Sequence, residues 1–144
     1  MKKDLRHRAR EAALQILYQW DIGSCEVDRA AETFLTLQWP DTTPPPDALR
    51  ELASGLARDT VAHLAAIDAL IAETTHRWRP ERMAVLDRLI LRMAICELMH
   101  DPETPAAVVI NEALELARTF STEESVKFIN GMLDAIRKKL ECRE

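Results

Sequence analysis

Only 3 glycines occur among the 144 residues, and they are scattered along the chain. That scarcity excludes the P-loop and the GxGxxG turn, in which closely spaced glycines let backbone N–H groups cradle phosphate. Cysteine is as sparse: Cys25, Cys96 and Cys142 are odd in number and widely spaced, with no CxxC pair. Such a set reads as reduced thiols in a cytoplasmic protein rather than as a disulfide framework or a zinc site. His7, His63, His76 and His100 form no HExxH, the spacing that brings two imidazoles to one metal. No run approaches the roughly 20 apolar residues that span a bilayer, and no apolar segment follows the charged first ten residues as a secretory signal would. Glu112 and Glu115 can share a helix face, but a carboxylate pair alone does not make an acid–base site. Cys96 falls in an apolar helix and reads as core. The expectation is a protein without catalytic residues, metal, cofactor or membrane span.

What is present favours helices. Hydrophobic residues make up 47% and charged residues 30% of the chain, enough for one domain over residues 1–144 to bury a core without covalent staples. The charge is unevenly placed. In residues 1–11, Lys2, Lys3, Arg6, Arg8 and Arg10 outweigh Asp4 and Glu11 by three, so the remainder of a chain of net −5 carries −8. Polyanion binding over the whole surface is opposed by that field, which leaves room only for a local patch.

Apolar residues recur at helical spacing from Ala9 through Ala13, Ile16, Leu17 and Trp20, ending near Gly23. Arg6 and Arg10 border this stripe, with His7, Glu11 and Tyr18 further toward solvent. A short helix is predicted from Glu26 to Leu37. Pro40 and Pro44–Pro46 then stop any helix. Asp47 can cap a long one over 47–75, in which Gly55 is tolerated. Pro80 and Glu81 suit the first turn of a central helix, whose apolar face is wide enough for contacts on more than one side. Thr104 and Pro105 open the next helix, and Ser121–Glu124 is a candidate capping box for the last. Asn130-Gly131 is expected to interrupt that final helix. The predicted fold is all-α, a compact bundle of about seven helices in two packed sub-bundles.

Recognition elements stand out more than reactive ones. Arg6 and Arg10 can donate charge-assisted bonds to phosphate, and Tyr18 can stack on a base. Lys127 and Phe128 pair a cation with a ring, a combination suited to single-stranded RNA; a core position explains Phe128 equally well.

The motifs "RHRARE", "AALQILYQW", "LDRLILRMAICEL", "INEALELARTF" and "ESVKFINGMLD", in this order and spacing, resemble the NusB family of bacterial transcription antitermination factors over essentially the whole chain. The resemblance implies a non-catalytic factor that pairs with the ribosomal protein NusE and binds boxA RNA. With other Nus factors it would help RNA polymerase pass terminators on ribosomal RNA operons. Arg6, His7, Arg8 and Arg10 match the family's basic N-terminal segment, and Tyr18 its first-helix aromatic. Arg118, Glu124, Lys127 and Phe128 match its later RNA-side segment. Asp87, Arg88 and Arg92 match the central pattern and are assigned to the NusE face, with Glu97 a paired structural carboxylate.

Two departures remove positive charge: His7 stands for the family's usual third arginine, and Ala107 for a common lysine. Lys2 and Lys3 are candidates to compensate. The rival reading is a protein-only adaptor or homo-oligomer with a weakened RNA face, and a homodimer stays open under either. A related domain precedes some RNA cytosine methyltransferases, whereas a chain ending at Glu144 is expected to stand alone.

Overall fold

The computed structural model describes residues 4–75 and 82–142. Lys2, Lys3, His76, Pro80 and Glu81 lie outside them. Seven α-helices are found among the described residues: α1 (Leu5–Gly23), α2 (Val27–Glu32), α3 (Asp47–Ala62), α4 (Leu64–Thr74), α5 (Val85–His100), α6 (Ala106–Phe120) and α7 (Glu123–Cys142). They form two compact units, one reaching to Ala62 and the other starting at His63.

In the first unit α1 packs on α3, and α2 against both. Both helices bury small residues, Ala9, Ala12 and Ala13 on α1 and Ala53 and Ala57 on α3. Small side chains let helix axes approach closely. Asp4 starts α1 by accepting a hydrogen bond from the His7 amide at 2.7 Å, and Ser24 ends it in the left-handed region at φ 53°. The short α2 runs on through a π-helical turn, Thr33–Leu37, that buries Phe34 and Leu35. Arg58 ties α3 to α2 through Asp28 at 2.9 Å.

The second unit is organised around α5, which contacts α4, α6 and α7. Its residues Leu89 to Cys96 are all buried, as the wide apolar face predicts. Arg92 Nε and Nη2 donate to the two carboxylate oxygens of Asp68 on α4, at 2.9 and 2.8 Å. On α7 the Lys139 ammonium donates to the Glu73 carbonyl at the end of α4, at 2.6 Å.

The helix boundaries depart from expectation in several places. The helix expected to open at Thr104 and Pro105 starts at Ala106, with Pro105 as its N-cap and no side-chain cap, and the Thr104 hydroxyl instead donates to Asp101 at 2.6 Å. The helix expected over 47–75 is two, broken at His63, whose φ of −107° and ψ of 18° leave the helical region. No glycine or proline marks the break. The apolar stripe continues through it, but Leu49, Ala53 and Ala57 serve the first core whereas Ile67, Leu70 and Ile71 serve the second. Conversely, α7 runs unbroken through Asn130-Gly131. Both residues are exposed, while Ile129, Met132, Leu133 and Ile136 keep the buried face continuous; that burial exceeds the roughly 1 kcal/mol a helical glycine costs. The cap of α7 is Thr122 rather than Ser121: its hydroxyl accepts from the Ser125 amide at 3.0 Å. Met83 is buried although it precedes α5.

Candidate nucleic-acid interface

The basic end of α1 is less free than its composition suggests. Arg6 is exposed. His7 is largely buried, with its Nε2 3.6 Å from a Glu11 carboxylate oxygen one turn on. Arg8 reaches the loop after α2, where its Nη2 lies 3.4 Å from Asp41 Oδ2 and its guanidinium carbon 5.9 Å from the centre of the Trp39 ring.

Arg10 corrects the sequence reading. Expected beside Arg6 on the border of the stripe, it is only 6% exposed. The buried face of α1 is broader than the stripe, since Leu14 is fully buried as well, and residues four apart share a helix face. Arg10 therefore lies inside the packed arc. Tyr18, at the edge of that arc, is 41% exposed. Twelve residues separate it from Arg6, about 18 Å along the axis at 1.5 Å per residue; the two mark opposite stretches of one helix rather than one spot.

In the second unit, a two-residue link places the last turn of α6 next to the first turn of α7. Arg118, Glu124, Lys127 and Phe128 fall in the turns flanking that link. Arg118 is exposed and donates to Glu115 Oε1 at 2.7 Å. Glu124 and Lys127 are exposed and three apart on α7, and Phe128 is half-buried, between the two positions its sequence allowed.

The residues assigned to a protein partner have uses inside the second unit. Asp87 is half-buried, and its carboxylate accepts from the hydroxyls of Ser121 and Ser125, each at 2.8 Å. This clamps the start of α7 onto α5. The Arg92 guanidinium is committed to Asp68, while Arg88 is half-buried on α5. The pairings made by Asp68, Ser121 and Ser125 have no sequence signal, because contact across 24 to 38 residues follows only from the fold. The same holds for His63 and His100, whose rings stack at 3.9 Å, and for Trp39 and Asp41.

Among the described residues no group of three or more His, Cys, Asp or Glu side chains is arranged to hold a metal. No helix among them is long and apolar enough to cross a membrane. Exposed cations and rings on helix surfaces define an all-helical recognition scaffold.

Comparison with known proteins narrows the class. The model of the NusB family matches residues 7–138, and the chain belongs to this family of transcription antitermination factors. It is 46% identical to the transcription antitermination protein NusB of Solibacter usitatus (strain Ellin6076), over 94% of this chain and 90% of that relative. It superposes on T. maritima NusB with a TM-score of 0.82 at 33% identity, covering 96% of this chain and 93% of that one. A crystal structure of the antitermination factors NusB and NusE in complex with dsRNA shares the fold, with a TM-score of 0.82 at 24% identity over 94% and 97% of the two chains.

Proposed function

We propose that this chain binds boxA-type RNA jointly with the ribosomal protein NusE, and so supports ribosomal RNA transcription within an antitermination complex of other Nus factors and RNA polymerase. The observation that carries the proposal is membership of the NusB family across residues 7–138. The fold-sharing complex of NusB, NusE and RNA supports the choice of partners. Arg6, Arg8, Tyr18, Arg118, Glu124, Lys127 and Phe128 are the proposed RNA contacts. His7 serves them by fixing the first turn of α1, and Arg10 by packing beneath it.

The division of labour follows from chemistry. Arginine and lysine supply phosphate contacts that are salt-sensitive and blind to sequence, whereas rings and carboxylates meet the bases. Glu124 can accept from a cytosine or adenine amino group. NusE would raise the effective concentration of RNA contacts beyond what an acidic chain of few available cations supplies alone.

Titration of labelled boxA RNA with the purified chain, with and without NusE and at several salt concentrations, tests this. A salt-sensitive complex, tightened by NusE and weakened by Tyr18→Ala, is the expected result. Binding to NusE or to itself with no RNA response at low salt overturns the proposal in favour of a protein-only adaptor.

A further inference from the structure

In the sequence, "WPDTTPPPD" reads only as a helix breaker; in the structure it wraps one of the cations of α1. The Trp39 indole is fixed from two sides. Its ring meets Phe34 edge-on, with centroids 6.1 Å apart, and its Nε1 donates to the Thr43 carbonyl at 3.1 Å. Next to it, Gln38 accepts a hydrogen bond from the Gln19 side chain of α1. The loop thus presents a fixed aromatic surface beneath the Arg8 guanidinium, at cation–π distance.

Asp41 completes the enclosure only loosely. An arginine–carboxylate bond ordinarily closes to about 2.7–2.9 Å, but here the separation is 3.4 Å and the Asp41 side chain is 58% exposed. A planar cation steadied on a ring, with an easily displaced anion at its edge, suits the binding of a phosphate. We infer that Asp41 sits where an RNA phosphate must sit on Arg8, so that this loop sets RNA affinity by competition. The inference rests on the RNA-binding function proposed above. Asp41 is two residues from the anchored Trp39, so it stays near Arg8 when displaced. RNA therefore loses affinity both to the broken ion pair and to the carboxylate that remains beside its phosphate.

Asp41→Asn keeps the shape and removes the charge. Anisotropy titrations of labelled single-stranded boxA RNA against the full chain should show binding about two- to fivefold tighter, the factor carried by an exposed ion pair. The salt dependence should steepen by about 0.7 in log–log slope, the share of one single-strand phosphate. Arg8→Ala combined with Asp41→Asn should abolish the gain. Glu32→Gln, an equal change of net charge at an exposed position on α2, should produce little of it. An Asp41→Asn protein that binds no better than wild type overturns the inference, as does an equal gain from Glu32→Gln or a gain that survives loss of Arg8. If wild type binds RNA and Asp41→Asn changes nothing, only this inference fails. If neither protein binds RNA, the proposed function fails and the inference with it.

Discussion

Breaking the Arg92–Asp68 pair tests how the second unit is held together, because the two partners differ in their access to water. Arg92 donates two hydrogen bonds, at 2.9 and 2.8 Å, and the side chains retain 10% and 30% of their exposure respectively. Removing one partner of a buried pair costs about 3–5 kcal/mol, since the other charge is left uncompensated. Arg92→Met keeps the aliphatic stem and strands Asp68, which can partly rehydrate; the loss should be about 2 kcal/mol, below that range. Asp68→Leu strands a guanidinium that solvent barely reaches, at about 4 kcal/mol. The double variant replaces the pair with apolar contact and should lie within about 1 kcal/mol of wild type. Urea unfolding followed by far-ultraviolet circular dichroism reads these differences. With a slope of about 2 kcal/mol/M, the midpoints should fall by about 1 M and 2 M for the single variants and recover in the double one. The reverse order, or single losses below about 0.5 kcal/mol, refutes the reasoning and frees Arg92 for an external partner.

Gly131→Ala should raise stability by about 1 kcal/mol, read as a higher Tm, because an added Cβ meets nothing within 4 Å; a lower Tm means the helix does not run through that position. Asp87→Ala leaves the Ser121 and Ser125 hydroxyls without their acceptor, at about 1–3 kcal/mol, and hydrogen exchange should quicken in the first turn of α7. The Asp134 carboxyl is held below its ordinary 3.8 by hydrogen bonds from Arg137 first and Lys138 second. A depressed acid stabilises the fold above its unfolded value and loses that contribution as pH falls through the folded one. The urea midpoint of Asp134→Asn should therefore trail wild type at neutral pH and converge with it well below pH 3.8. Arg10→Ala, at a site 6% exposed, should lower the urea midpoint yet leave the salt slope of RNA binding unchanged. A flattened slope with full stability puts Arg10 back on the surface.

Helices announced by periodicity were legible, and those bounded by tertiary demand were not. The stripes of α1, α5 and α7 state a helical period with few competing signals, and the prolines at 40 and 44–46 keep the stretch between the π-helical turn and α3 from being helical for reasons internal to the backbone. The break at His63 has no such local cause. It exists because the residues on either side of it serve different cores, and one helical stripe reads the same whether it feeds one core or two. Asn130-Gly131 is the converse: the intrinsic cost of the pair is visible in the sequence, whereas the burial on the opposite face of α7 that outweighs it is set by the fold.

The site shows the same asymmetry in its charges. Residue type and order were enough to point to RNA, but not to say which cations are available. Of the basic residues at positions 6 to 10, Arg6 is exposed, His7 lies against Glu11, Arg8 is shared between Trp39 and Asp41, and Arg10 is buried. A helical wheel cannot foresee this, because the partner of Arg8 comes from 33 residues away and the cover over Arg10 from the width of the packed arc. An acidic chain that commits most of its clustered arginines internally keeps few long-range attractions for RNA. Under the proposed function, recognition then depends on contacts made at short range, by a ring such as Tyr18 and by cations released one at a time.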